Sequence, residues 1–152
     1  MKQMQSVLRY ANQLHRLIHK SMQPLGEELQ LSQLEMELLL FLWNNPELNT
    51  ARDAVAYRGF AKSNVSTAVE ALERKGWLIV EPDPSSRRVK RLHLCLEREA
   101  ELNRLSLCQR DCLRVLTANF TQEEVETLHS LLDHISKNVA QALESLEGNR
   151  NA

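Results

Sequence analysis

Residues 54–91, which read AVAYRGFAKSNVSTAVEALERKGWLIVEPDPSSRRVKR, decide the fold of this chain. In order, they predict a short helix, a tight turn, a second helix over residues 62–75 and a hairpin. Gly59 suits the turn between the helices because glycine adopts left-handed backbone conformations at no steric cost. Gly76 follows the second helix and suits its C-terminal cap. The pattern therefore predicts two helices and a hairpin as one local unit.

The second helix has one apolar face and one polar face. The apolar residues recur at helical spacing and predict a single buried stripe, made of Val65, Ala68, Val69 and Leu72. The opposite face carries short polar side chains, and Lys62 stands at the helix start. Backbone N–H groups at a helix start favour phosphate, and short polar side chains there can reach base edges. The same side chains also suit a merely solvated face, so the helix alone leaves both interpretations open.

The hairpin favours the nucleic-acid interpretation. Residues 77–80 and 89–96 have strand patterns, and residues 81–86 between them contain two prolines, which do not fit a central strand. Basic residues follow this predicted turn directly, at Arg87, Arg88, Lys90 and Arg91. A charge run is usually just a solvated face. Beside a polar helix start, however, a flexible basic loop is expected to probe phosphates and the minor groove.

Helices and hairpin together predict a winged helix-turn-helix, and residues 31–96 resemble the MarR family of bacterial transcription regulators. The likeness rests on L-S-Q-L-E-M-E-L-L-L-F-L before the helix pair, on the pair itself and on D-P-S-S-R-R in the hairpin. The helix-turn-helix aligns with the family pattern without a gap, and flanking helices extend the likeness over nearly the whole chain. The resemblance implies a mainly α fold with a small β-hairpin wing, flanked by N- and C-terminal dimerisation helices.

Three positions depart from the family pattern. Ser86 stands where the family usually has an aspartate that orients the wing arginine. Ala61 replaces the usual Ser or Thr before the recognition helix, and Leu94-Cys95 replaces the Leu-Thr that closes the second wing strand. These differences bear on how firmly the helix start and the wing are held.

The resemblance and the polar face select a set of candidate DNA-contacting residues. They are Ser63, Asn64 and Thr67 for the bases, Arg58, Lys62 and Arg74 for phosphates, Arg87 and Arg88 for the wing, with Ser66 and Ser85 beside them. One of the two wing arginines is expected to reach the minor groove.

Composition predicts one core and an uneven charge distribution. The chain of 152 residues has a net charge of −1, yet residues 58–91 hold eight basic and four acidic side chains. Residues 121–147 are acidic instead. We divide the chain into an N-terminal dimerisation helix (1–30), a DNA-binding lobe (31–96), C-terminal dimerisation helices (97–147) and a flexible tail (148–152). Three cysteines without a framework spacing, and no recognisable signal peptide or spanning segment, predict a cytoplasmic protein without membrane contact.

The terminal arms carry apolar stripes. The first helix is expected to end near Pro24, and its stripe consists of Val7, Ala11, Leu14, Ile18 and Met22. A second helix is predicted over residues 98–119, with a stripe of Leu102, Leu105, Cys112 and Leu116. The last helix has a heptad stripe of Val125, Leu128, Leu132, Ile135, Val139, Ala142 and Leu146. Capping boxes pair Thr121 with Glu124 and Ser32 with Glu35, the latter starting a helix over residues 32–44.

Apolar helices at both ends of a small domain favour a homodimer, although such stripes also pack within one chain. A two-fold dimer would place recognition helices in successive major grooves, so the operator should be a pseudo-palindrome with half-sites roughly 10 bp apart. Repression is the simplest action for such a dimer, because it blocks polymerase without an activation surface.

No residue pattern in the sequence defines the signal that switches the protein. The resemblance implies release from DNA by a small aromatic or amphipathic effector in a cleft between arms and lobe. Candidate wall residues, which also suit ordinary core or surface positions, are Tyr10, His15, Trp43 and Tyr57.

Two further switches stay open as alternatives. His15 with His19, and Cys108 with Cys112, have the i, i+4 spacing of two metal ligands, but each pair supplies only half a site. We therefore expect no metal and no cofactor. Thiol oxidation would need an exposed cysteine of lowered pKa, and peroxide-sensing relatives place theirs in the first helix, where this chain has none.

Two other functional classes remain for comparison. The sequence lacks a nucleophile elbow, a phosphate-binding glycine loop and a catalytic carboxylate pair in a recognisable context, so we expect no enzyme. A winged-helix protein-docking module without DNA binding is the alternative that keeps the fold. Polar Ser63, Asn64 and Thr67 beside a basic wing argue for DNA.

Overall fold

The computed structural model describes residues 2–59 and 61–148, and in that part of the chain it has six α-helices and one hairpin. The elements are α1 (Lys2–Leu29), α2 (Gln33–Asn44), α3 (Ala51–Arg58), α4 (Lys62–Arg74), β1 (Leu78–Asp83), β2 (Ser86–Leu94), α5 (Glu99–Arg114) and α6 (Gln122–Gly148). The predicted fold class, mainly α with a small β-hairpin, is confirmed. None of the helices in the described ranges is long and apolar enough to cross a membrane.

The chain divides into two compact units, one up to Leu113 and one from Arg114 onward. In the first unit α2 is the central helix, because it is apolar nearly all round and buries most of its side chains. Around it pack Met22 of α1, Leu72 of α4, Leu105 of α5 and Trp77, which lies between α4 and β1. Each of these side chains is at most 2% exposed. This core holds α4 and the hairpin in place.

The predicted helix caps are confirmed. Ser32 accepts from the Glu35 amide at 3.2 Å, while the Glu35 carboxylate accepts from the Ser32 amide at 2.7 Å. Gly59 has φ +68° and closes α3 with a 2.9 Å bond from its amide to the Val55 carbonyl. Gly76 has φ +73° and follows α4, where its amide donates to the Glu73 carbonyl at 3.0 Å. Both glycines occupy conformations that other residues adopt only with strain.

Pro24 does not end the first helix, contrary to the expectation. It lies inside α1, which continues to Leu29 and ends where Gln30 takes a left-handed conformation with φ +56°. Leu31 then donates its amide to the Gly26 carbonyl at 2.8 Å. Proline removes one backbone donor, but Met22 and Gly26 on either side are buried, and their packing holds the helix together across it.

The hairpin has longer strands and a shorter turn than expected. β1 includes Pro82 and pairs antiparallel with β2, which begins at Ser86, so the predicted turn over residues 81–86 is wrong. A two-stranded sheet has only edge strands, where a proline can turn its missing N–H away from the partner. A register shift falls between Pro82 and Asp83. The basic residues therefore lie along β2 rather than on a flexible loop.

The second strand and the helix after it also end earlier than expected. Leu96 starts a short 3-10 turn and is 82% exposed, so it does not share the face of buried Leu92. α5 ends at Arg114, and Leu116 lies beyond it, 42% exposed. The predicted helix over residues 98–119 is therefore too long.

The second unit is dominated by the 27-residue helix α6. Its start is fixed as predicted: the Thr121 amide donates to Glu124 at 2.8 Å, and Thr121 Oγ accepts from the Glu124 amide at 3.2 Å. Val125 and Leu128 of the predicted stripe are half-buried. The rest of the stripe is exposed, including Leu132, Ile135, Val139, Ala142 and Leu146.

Candidate nucleic-acid interface

Helix α4 presents a polar surface opposite its buried stripe. Val65, Ala68 and Leu72 are buried as predicted. The outward positions of the first two turns are exposed, namely Lys62, Ser63, Asn64, Ser66 and Thr67. Ala61 at the N-cap makes no side-chain capping bond. The first-turn amides therefore have no side-chain acceptor of their own.

The C-terminal end of α4 is anchored to α2 by a buried carboxylate. Lys75 Nζ donates to both oxygens of Glu35, at 2.9 and 2.8 Å, and to the Gln30 carbonyl at 2.8 Å. Glu35 is 5% exposed, and the same carboxylate holds the Ser32 cap. A capping residue of α2 thus fixes the position of α4, a role that sequence spacing did not reveal.

Arg98 adds a second contact at this end of α4. Its guanidinium lies over the Trp77 ring, 4.8 Å from the centroid, and donates to the Lys75 carbonyl at 3.4 Å. It also pairs with Glu101 at 3.2 Å. A cation near the last carbonyls of a helix interacts favourably with the helix dipole.

The wing, defined as the hairpin β1–β2, is held by a buried aspartate at its turn. Asp83, 7% exposed, accepts from the Ser85 hydroxyl at 2.5 Å, from the Ser85 amide at 2.8 Å and from Arg91 Nε at 2.5 Å. The Ser85 hydroxyl first, then the Ser85 amide and Arg91, lower the pKa of Asp83 from 3.8 to about 2. Ser85 was expected to contact DNA, but its amide and its hydroxyl both donate to Asp83 within this turn.

Arg91 joins the wing to the start of α3. Its Nη1 donates to Asn49 Oδ1 at 2.8 Å, and the Leu92 amide donates to the Asn49 carbonyl, also at 2.8 Å. Thr50, which caps α3, forms an isolated antiparallel bridge with Arg91. In this wing Asp83 and Asn49 orient an arginine on the second strand. Neither Asp83 nor Asn49 was among the residues predicted for the site.

A cavity of about 570 Å³ lies between the wing and helices α3 and α4. Its lining residues come from all three elements and are Thr50, Ala51, Arg52, Val55, Lys62, Ser66, Arg88, Val89 and Lys90. Lys62, Ser66 and Arg88 of the candidate DNA-contacting set therefore lie around one concave surface. Arg52 and Lys90 bring the number of lining cations among the described side chains to four, and neither was in that set.

The remaining candidate residues lie elsewhere on the same unit. Asn64 and Thr67 line a shallower groove between α4 and the start of α2. Arg74 is exposed in the last turn of α4, and Arg87 is exposed on β2. The side chain of Arg58 lies outside the described residues. Among the ion pairs of the described side chains, none involves Arg87, Arg88 or Lys90.

The residues considered for an effector are dispersed. Tyr10 is 59% exposed on α1, and His15 is exposed on the same helix. Trp43 is half-buried against the core, and the side chain of Tyr57 lies outside the described part of the chain. The cavity at the wing is lined by none of Tyr10, His15 and Trp43.

The thiols and imidazoles were the residues considered for metal or redox sensing. Within the described ranges, no group of three or more His, Cys, Asp or Glu residues is placed to hold a metal ion. Cys112 is buried, and Cys108 is half-buried and donates to the Ser21 carbonyl at 3.5 Å. Burial, with smaller contributions from Cys112 and Asp111, raises the pKa of the Cys108 thiol. Raised pKa disfavours the reactive thiolate.

The part of the chain that carries these features is similar to a known protein family. Residues 29–89 match the model of the MarR family. This matched segment contains α2, α3, α4 and most of the wing. No curated protein gives a significant match.

Solved structures share the fold over most of the chain. The transcriptional regulator SlyA is 17% identical with a TM-score of 0.78, covering 92% of this chain and 98% of its own. A MarR-family regulator from Listeria monocytogenes, complexed with 26mer DNA, is 20% identical with a TM-score of 0.78, covering 88% and 89%. A MarR protein from Peptoclostridium difficile is 21% identical with a TM-score of 0.77, covering 88% and 86%. At these identities the likeness establishes the winged-helix fold of MarR-family regulators.

Proposed function

We propose that this protein is a sequence-specific double-stranded DNA-binding transcriptional regulator that reads DNA with α4 and the wing. The observation that carries the proposal is the convergence of four cations, Arg52, Lys62, Arg88 and Lys90, on one concave surface beside the polar face of α4. A protein of net charge −1 concentrates positive charge there, which favours phosphate at that surface. We infer that this surface binds DNA and does not catalyse a reaction.

The candidate residues divide into three roles. Ser63, Asn64 and Thr67 face the bases, because they are exposed short polar side chains in the first two turns of α4. Lys62 and Arg74 bind phosphates at the two ends of the helix, as does Arg58. The wing contributes Arg87 and Arg88, one of which enters the minor groove.

We propose that the protein acts as a homodimer. Exposed apolar residues recur along α6 on a helix of 27 residues, and a stripe of this length in water favours a partner helix. A two-fold pair of α4 helices would bind a pseudo-palindromic operator with half-sites roughly 10 bp apart. Such a dimer represses by occupying the site of polymerase, in the bacterial cytoplasm where the DNA lies.

We further propose that a small amphipathic or aromatic anion releases the DNA. The cavity at the wing combines four cations with Ala51, Val55 and Val89, and its volume of about 570 Å³ suits a small molecule. An occupant there would compete with DNA for Lys62 and Arg88. Benzoate should therefore dissociate the complex at concentrations where neutral benzamide does not, and equal effects of the two compounds would rule out an anion site.

DNA binding is tested by titrating a duplex library with the full-length protein over a range of salt concentrations. The affinity should fall steeply as salt rises, with a logarithmic slope of about 0.9 per phosphate contact. Arg88→Ala should reduce this slope by about 0.9. Arg110→Ala removes an exposed cation on α5 that does not line the cavity at the wing, and should leave the slope unchanged.

Two results would contradict the proposal. One is the absence of any DNA affinity at low salt, which would favour a protein-docking module. The other is an equal change of slope in Arg88→Ala and Arg110→Ala, since the wing would then have no special share in binding.

A further inference from the structure

Asn64 presents a free amide in the first turn of α4. The side chain is exposed at the groove between α4 and α2, and among the described residues its amide has no hydrogen-bond partner. An asparagine amide offers one donor and one acceptor side by side. Adenine presents the complementary pair in the major groove, at N7 and N6.

Thr67 lies three residues further on and presents a different chemistry. Its hydroxyl donates to the Ser63 carbonyl at 3.1 Å, so the hydroxyl proton is used within the helix. The exposed side chain then offers its methyl group and the oxygen lone pairs. An apolar methyl of this kind packs against the 5-methyl group of thymine.

The same face carries no cation between its two ends. From Ser63 to Glu73 the sequence is SNVSTAVEALE, and the nearest basic residues, Lys62 and Arg74, flank it. Guanine is read most often by an arginine or lysine that contacts O6 and N7. The middle of this helix has no such group to offer.

From these observations we propose that Asn64 and Thr67 make each half-site centre specific for A·T pairs. Asn64 contacts N6 and N7 of one adenine, and the Thr67 methyl packs against the 5-methyl of a thymine in the same or the adjacent pair. Residues three apart on a helix are surface neighbours, so both can reach the same base step. The proposal rests on the DNA-binding function proposed above and names the bases that this surface selects.

The first test selects bound duplexes from a random pool, using the full-length protein and two variants. Asn64→Ala removes the amide, while Thr67→Ser keeps the hydroxyl and its bond to the Ser63 carbonyl but removes the methyl. Both side chains are exposed, so unfolding temperatures should match the wild type. Wild-type protein should enrich an A·T step in each half-site. Asn64→Ala should lose the preference for adenine at one position per half-site, whereas Thr67→Ser should retain it.

The second test changes single atoms of the selected DNA. Deoxyuridine in place of the thymine removes only the methyl, and should weaken wild-type binding about fourfold but leave Thr67→Ser unaffected. In place of the adenine, 7-deazaadenine removes the N7 acceptor. It should weaken wild-type binding by about fivefold or more and leave Asn64→Ala unaffected.

The possible failures are distinguishable. If the selected half-sites are centred on G·C pairs, or if deoxyuridine weakens wild type and Thr67→Ser equally, this assignment is wrong while DNA binding stands. If no duplex is enriched by the wild-type protein at low salt, the proposed function fails and the inference falls with it.

Discussion

At the residue scale, the buried polar side chains of the described residues each connect separate parts of the lobe formed by residues 31–96. Glu35, Thr50 and Asp83 are at most 9% exposed. Glu35 joins the start of α2 to Lys75, Thr50 caps α3 beside the wing, and Asp83 holds the wing turn together with Arg91. Buried polar groups of this kind are tolerated because hydrogen bonds satisfy them.

Removing the cation from the Glu35 pair should destabilise the lobe. Lys75→Met leaves the Glu35 carboxylate buried with only the Ser32 bonds, and we expect a loss of about 1–3 kcal/mol in the free energy of unfolding. The Lys75 side chain is 34% exposed. We therefore expect a smaller loss of stability than removal of one partner from a fully buried ion pair causes.

Chemical denaturation measures this loss, and a double variant provides the control. Glu35→Gln together with Lys75→Met removes the uncompensated charge and should recover part of the stability. A double variant as unstable as the sum of the two single variants would show that the pair is not coupled.

Asp83 makes the wing sensitive to acid. Its pKa is lowered from 3.8 to about 2 in the folded protein, so its contribution to stability is fully present above 3.8 and is lost as the pH falls through 2. The difference in unfolding temperature between wild type and Asp83→Asn should therefore be constant near neutral pH and shrink between pH 4 and pH 2. A difference that stays constant over this acid range would contradict the assigned pKa.

At the element scale, packing overrides local signals. Pro24 lies inside α1 and Pro82 inside β1, although proline disfavours both positions locally. Buried neighbours hold α1 together, and the two-stranded sheet offers β1 a free edge. The glycine caps behave differently, because a left-handed backbone conformation is a property of the single residue.

Substitutions of Gly76 test whether local backbone conformation, rather than packing, determines the glycine at this cap. A Cβ atom at this position would meet no atom within 4 Å, so Gly76→Ala adds only the strain of φ +73°. We expect a loss of about 1–2 kcal/mol in the free energy of unfolding. Gly76→Asn should lose less, because asparagine tolerates the left-handed region better. Equal losses, measured by urea unfolding, would point to a cause other than backbone strain.

At the scale of the whole molecule, charge and apolar surface are separated along the chain. Basic side chains outnumber acidic ones, eight to four, in residues 58–91, and α6 combines acidic side chains with an exposed apolar stripe. An exposed stripe of this length predicts association. The proposed dimer can therefore be tested independently of DNA.

Ile135→Asp should break the dimer. The side chain is 57% exposed within one chain, and a carboxylate there would be buried against the partner helix. We expect the dimer dissociation constant, measured by sedimentation, to rise more than about tenfold. Lys137→Ala, on an exposed residue outside the stripe, should leave the dimer intact. A wild-type protein that sediments as a monomer would refute the dimer outright.

Much of this fold was predictable from short-range patterns. The capping boxes of Ser32 and Thr121, the stripe of α4 and the glycine after it join residues at most four positions apart. Such interactions depend on local spacing alone. The polar first turns of α4 and the basic residues of β2 were identified as site candidates for the same reason.

The sequence by itself determined the likeness to the MarR family model, the helical periods and the polar and basic residues proposed to face DNA, because each is written in a continuous segment. Only the tertiary structure decided what holds that surface. The bonds of Lys75 to Gln30 and Glu35, and of Arg91 to Asn49, join residues 45, 40 and 42 positions apart. No local spacing encodes such pairs, since they form only when the buried apolar core brings α2, α4 and the wing together.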